Sequence, residues 1–133
     1  RLPCAVVVAL NGNTIGAGGI MALAADWIVA AQGNYKIGLP EAKAGLPFPP
    51  VPQAILDHWL DPVWRRRLSL SSHLLTPVEA LSAGLADELA APDQLLDQAV
   101  VCARELATQP GFKACKRQLR AKANAEIDAI LKR

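Results

Sequence analysis

Two features of this sequence have the residue types and setting for proton-transfer chemistry at a carbonyl: the turn Gly16-Ala17-Gly18-Gly19 and the glutamate Glu41 in "IGLPEAKAGL". Where a helix begins, backbone N–H groups lack intrahelical acceptors, and small residues let a ligand oxygen approach them. Such a turn can polarise a carbonyl, although close packing of a helix on a sheet calls for the same residues. It does not read as a phosphate loop, because no GK[ST] ending follows and Met21 stands where the last glycine of GxGxxG belongs. Glu41, set among apolar neighbours, is the candidate acid/base for such a proton transfer. The plainer alternative is a first-turn acid favoured by the helix dipole.

Other polar residues carry weaker signals. His58 and His73 have no cysteine or carboxylate at ligand spacing, so no metal is assigned. Asp26, after the glycine-turn segment, reads as a structural hydrogen-bonding group. Ser69, Ser71 and Ser72 lack a G-x-S-x-G setting, which gives no support to a serine hydrolase. Arg65-Arg66-Arg67 reads as a solvated helix face without the interleaved aromatics of a nucleic-acid surface. A net charge of +2 likewise gives no reason to expect nucleic acid. Cys4, Cys102 and Cys115 form no CxxC pair, and free buried thiols in a reducing compartment are expected.

The elements that must position these residues follow from the pattern. With 52% hydrophobic and 20% charged residues, the 133-residue chain is globular in composition and long enough for one ordinary domain. Ala5–Leu10 predicts a strand buried on both faces, Gly18–Ala25 a closely packed helix, Trp27–Ala31 a second strand and Tyr35–Leu39 a third extended piece. The prolines of "LPFPPVP", Leu46–Pro52, predict a loop of fixed shape. Helices are expected over Gln53–Leu60 and Val63–Ser71. Another starts at Thr76 with a capping box to Glu79 and ends at Gly84. Leu95, Leu96, Ala99, Val100, Ala103 and Leu106 recur at helical spacing, and Phe112–Leu131 forms a last charged helix. Asp26 and the glycines disfavour a membrane span over Ile15–Ala31. Strands early and helices late imply a mixed α/β domain with an incomplete sheet, so an absent N-terminal half is expected.

The stretch "AVVVALNGNTIGAGGIMALAADWIVAAQGNYKIGLPEAKAGL", followed by "TPVEALSAGLADEL" and the helix containing "KRQLR", resembles the crotonase superfamily, the enoyl-CoA hydratase/isomerase enzymes. The resemblance covers nearly the whole chain. It implies a crotonase-like spiral of ββα turns, here partial: residues 1–60 as the C-terminal part of the spiral core and 61–133 as a helical region for oligomerisation. Homotrimers or dimers of trimers are implied; the reducing compartment expected from the cysteines would be the cytoplasm or the mitochondrial matrix. The substrate would be an acyl-CoA thioester, with CoA as part of that substrate and no separate cofactor.

The same resemblance assigns roles. Ala17, with Gly18 beside it, would donate one backbone N–H to the thioester oxygen, and an upstream segment would supply the other donor. Glu41 matches the glutamate of the family's "PE" motif. At the position of the family's other hydratase glutamate, shortly after the glycine turn, stands Ile20, which cannot transfer a proton. The pattern is similar to 3,2-enoyl-CoA isomerases, in which one carboxylate removes a proton from C2 of a 3-enoyl-CoA to form a dienolate and returns it to C4. Hydratase activity and a non-catalytic acyl-CoA-binding subunit are the alternatives. "LPFPPVP" replaces the family's glycine-rich "IPGAGG", and Ile20, Leu46 and Phe48 are the expected acyl-pocket residues. Of the last helix's cations, Lys113, Lys116, Arg117, Arg120 and Lys122, one could meet a CoA phosphate, against the plainer expectation of a solvated face.

Overall fold

The computed structural model describes residues 1–133. Two small sheets and seven helices form an α/β architecture. In the first sheet, β1 (Val7–Leu10), β3 (Trp27–Ala31) and β6 (Glu88–Ala90) lie parallel in the order β1-β3-β6, with Val7 opposite Trp27 and Val29 opposite Glu88. In the second, β2 (Thr14–Ile15) runs parallel to β4 (Ile37–Gly38), and β4 pairs antiparallel with β5 (Leu74–Leu75).

The central strand β3 separates two cores. Alternate side chains point to opposite faces of a strand, so Ile28 and Ala30 join the main core, with Leu10, Ile37, Leu39, Leu56, Leu68 and Leu75 among its members. Val29 and Ala31 face a smaller core formed with Leu95, Ala99 and Cys102 of α6 (Leu95–Thr108). The two-sided burial expected of Ala5–Leu10 is only partial: Leu10 and Val8 pack on the main core and Val7 and Ala9 on the smaller one, whereas β3 is the strand buried on both faces. Strand β1 is an edge strand with one neighbour, and only its Leu10 is buried.

Short elements account for most departures from the sequence reading. Six strands are present rather than three; β2, β5 and β6 have two or three residues each, too few to show a period. The proline segment does not stay outside the helix that follows. Helix α3 runs from Pro50 to Trp59 rather than from Gln53, because Pro50 and Pro52 occupy the first turn, where no intrahelical acceptor awaits an N–H. The first amide to bond is Gln53, which donates to the Pro49 carbonyl at 2.9 Å.

The local stop and start signals correspond to observed helix ends. In α4 (Pro62–Ser71), the Asp61 carboxylate accepts from the Val63 and Trp64 amides at 2.9 and 3.3 Å. In α5 (Pro77–Ala83), Thr76 Oγ1 accepts from the Glu79 amide while Glu79 accepts from the Thr76 amide, completing the capping box, and Gly84 closes the helix in the left-handed conformation. Helix α6 buries a narrower stripe than expected: Leu95, Ala99 and Cys102 pack inward, but Leu96 and Val100 are exposed.

Helix α7 (Phe112–Leu131) buries only Ala123, so apolar contact alone gives it little attachment. Polar contacts anchor it: a hydrogen bond between His58 Nε2 and Glu126 at 2.8 Å, the Arg1–Asp128 ion pair, and the Asp26 cluster described below. The expectation of buried thiols holds only for Cys102; Cys4 and Cys115 are exposed. Burial and a hydrogen bond to Glu88 push the Cys102 thiol pKa up. No helix is long and apolar enough to cross a membrane.

Candidate active site

Glu41 opens the four-residue helix α2 (Glu41–Ala44), directly after Leu39, which is wholly buried, and Pro40. Buried Leu39 and the β4 pairing fix the approach to the glutamate. The far end is closed by Gly45 in the left-handed conformation, with the Gly45 amide on the Ala42 carbonyl and the Leu46 amide on the Glu41 carbonyl at 2.9 Å. The carboxylate is half-buried, and its Oε2 is shielded from solvent without a hydrogen-bond partner. An unpartnered carboxylate oxygen is costly unless something else meets it.

Its neighbour is the glycine turn. Gly16 has φ 59° and ψ −121°, a combination that side-chain-bearing residues avoid, and a Cβ there would lie 3.1 Å from Glu41 Oε1. The Gly16 amide donates to the Gly38 carbonyl at 2.9 Å, which ties the turn to the strand that leads into Glu41. Thus β2 and β4 pair side by side and deliver the glycine turn and the acid to the same place.

Helix α1 (Ala17–Leu23) begins immediately after that turn. Gly16 offers no side-chain cap, Ala17 and Gly18 are exposed at the first two helical positions, and no acid stands in the first turn. Their N–H groups therefore have no intrahelical acceptor. Gly19 serves packing: a Cβ there would meet Leu39 Cδ2 at 3.3 Å and the Gly38 carbonyl oxygen at 3.6 Å. Both readings of the glycine turn thus have residues to support them, Gly19 for packing and Ala17/Gly18 for uncapped amides.

Ile20 is 6% exposed and belongs to the main core. Phe48 packs against that core from a partly exposed position, whereas Leu46 is 61% exposed. Within this chain the three residues do not share one environment.

Asp26 has the structural role expected of it, on a larger scale. Its side chain is 8% exposed, accepts from the Val6 amide at 2.8 Å, and pairs with Lys116 Nζ at 2.6 Å and with Arg120 at 2.7 Å. Arg120 also donates to the Ala24 and Ala25 carbonyls at 2.7 Å and stacks over Trp59 at 5.0 Å. Lys116 and Arg120 are therefore not part of a solvated face, while Lys113, Arg117 and Lys122 are exposed. The i, i+4 spacing of Lys116 and Arg120 signals a shared helix face, but nothing local identifies Asp26 as their partner.

Two contributors were absent from the sequence reading. In the sequence Gly16 looks like its glycine neighbours, but its positive φ and its closeness to Glu41 set it apart. Ser72 was considered only as a nucleophile, yet its Oγ accepts a hydrogen bond from the Lys43 amide of α2 at 3.0 Å. No side-chain group of three His, Cys, Asp or Glu residues is arranged to hold a metal.

Comparison with known proteins is consistent with this geometry. The profile of the enoyl-CoA hydratase/isomerase family matches residues 1–133. A probable enoyl-CoA hydratase, echA17 of Mycobacterium avium, is 35% identical over 129 residues, which is 97% of this chain and 48% of that protein. The chain spans about half the length of the curated relatives it matches. Among solved structures, the enoyl-CoA hydratase EchA3 of Mycobacterium ulcerans superposes with a TM-score of 0.87 at 29% identity, covering 96% of this chain and 56% of that one. A Mycobacterium tuberculosis protein, described as an enoyl-CoA isomerase in one structure and as the probable enoyl-CoA hydratase EchA3 in another, gives 0.86 at 29% identity, the former covering 98% of this chain and 60% of that one. The fold is accordingly the crotonase-like α/β fold, and the chain belongs to the enoyl-CoA hydratase/isomerase family.

Proposed function

We propose that the protein carrying this chain moves the double bond of a 3-enoyl-CoA to give the 2-enoyl-CoA, with Glu41 as the only side-chain acid in the proton transfer. The observation that carries this reading is the shielded, unpartnered Oε2 of Glu41 beside the glycine turn, while Ile20 lies in the core at the position of a second acid. The Glu41 carboxylate takes a proton from C2, the electron pair moves through C1 onto the thioester oxygen, and a dienolate forms. The same carboxyl group then returns the proton to C4 as the double bond settles between C2 and C3. The Ala17 N–H, with Gly18 beside it, stabilises the oxygen's negative charge, one of the two donors that family resemblance calls for.

Leu46 lies one hydrogen bond from the Glu41 backbone, and its exposed side chain suits contact with the acyl group, together with Phe48. A trimer or a pair of trimers is the assembly proposed from the family.

Hydration is the second reading, favoured by the relative named as a probable enoyl-CoA hydratase. The test follows both reactions in the full-length enzyme and in its Glu41→Gln variant. Isomerisation that falls by about a thousandfold or more in the variant supports the one-acid reading. Hydration without isomerisation replaces it, and acyl-CoA binding with no turnover points to a non-catalytic subunit.

A further inference from the structure

We infer that Ser72 is a positioning residue for Glu41, its hydroxyl serving as the N-cap that the glutamate's own helix lacks. The inference rests on the reading of Glu41 as the proton shuttle. Helix α2 has four residues, none of them buried, and its N-cap position is Pro40, which offers no side-chain acceptor. A helix this short has almost no intrahelical hydrogen bonding to hold it. The geometry of the carboxylate must therefore come from attachments at the two ends.

At the C-terminal end the Gly45 and Leu46 amides provide them. At the N-terminal end the Lys43 amide, third in the helix, donates to Ser72 Oγ at 3.0 Å across 29 residues of sequence. An ordinary N-cap side chain accepts from the second or third helical amide, so Ser72 supplies from α4 the contact that a local serine or aspartate would give. No other side chain accepts a hydrogen bond from an α2 amide.

The backbone of Ser72 strengthens the argument. It has φ 55° and ψ 24° and is the single non-glycine residue with positive φ. It caps the C-terminus of α4, its amide donating to the Leu68 carbonyl at 3.1 Å. Glycine takes that conformation with less strain and is the common residue there. What glycine lacks is the hydroxyl. Ser72 thus joins the end of α4 to the start of α2, with β5 following and pairing with β4, the strand that precedes Glu41.

Two substitutions separate the hydroxyl from the backbone. Ser72→Ala removes the hydroxyl and keeps the disfavoured φ; Ser72→Gly removes the hydroxyl and relieves it, so its Tm should lie above that of Ser72→Ala. In the full-length enzyme, both variants are expected to lower kcat for isomerisation by about ten- to a hundredfold with KM little changed. Amide exchange at Lys43 should quicken in both. If kcat follows Tm instead, with Ser72→Gly active as wild type, only the backbone of Ser72 matters and the inference is overturned. Wild-type kcat in both variants overturns it as well. Glu41→Gln is measured alongside: an inactive Glu41→Gln beside a fully active Ser72→Gly sinks the Ser72 inference alone. A fully active Glu41→Gln sinks the shuttle reading and the inference together.

Discussion

Gly16 and Glu41, 25 positions apart in the sequence, are in contact through the place where a Cβ on Gly16 would be: that atom would lie 3.1 Å from Glu41 Oε1. The absence of a side chain at Gly16 is therefore part of the site. It leaves room for the carboxylate and allows the positive φ from which α1 departs.

Gly16→Ala tests that relationship. The added methyl group must displace the carboxylate, and the backbone at φ 59° resists any side chain, so a stability loss of about 1–3 kcal/mol is expected. Because the carboxylate that must give way by a few tenths of an ångström is the proposed shuttle, kcat should fall by about tenfold. A variant with wild-type kcat would show that the contact does not matter to the reaction.

Asp26 offers a test of how α7 is held. Asp26→Ala leaves Lys116 and Arg120, 10% and 13% exposed, without their shared carboxylate. Removing one partner from a buried ion cluster costs about 3–5 kcal/mol. Urea denaturation should therefore show a clear fall in midpoint, with the slope unchanged if two-state behaviour is kept. A loss below about 1 kcal/mol would mean that the cluster behaves like a surface pair.

Glu79 makes a pH-dependent contribution. Accepting from the Thr76 amide, and then from its hydroxyl, holds the Glu79 carboxyl pKa below its usual value, and His73 and Lys36 act in the same direction. A lowered folded-state value means that the stabilisation is present above the unfolded carboxyl's value and disappears as pH falls through the folded one. Glu79→Gln should thus lower Tm near neutral pH, with the difference closing once the wild-type carboxyl is protonated. A Tm difference that stays constant down to about pH 2 would rule out ionisation as its source.

Local signals were legible in the sequence wherever the interacting groups are near neighbours in the chain. The Thr76 capping box spans three residues, β3 shows itself as an apolar run, and the helical stretches of α6 and α7 follow from their spacing. The proline segment is less legible, because a proline breaks a helix only beyond its first turn. In the first turn of α3, Pro50 and Pro52 have no intrahelical bond to lose.

By itself the sequence determined the glycine turn, the acid in its apolar setting, the resemblance that joins them and the mixed α/β class, because each depends on residue type and short-range order. Tertiary structure alone decided what meets what. It placed Gly16 against Glu41, brought Ser72 to the Lys43 amide, and set Asp26 between two cations 90 and 94 residues further on. It also gave β5 and β6 their partners, although neither strand is long enough to announce itself. The physical reason is that a hydrogen bond or an ion pair depends on distance and desolvation in space, and linear spacing encodes neither once the groups lie on different elements.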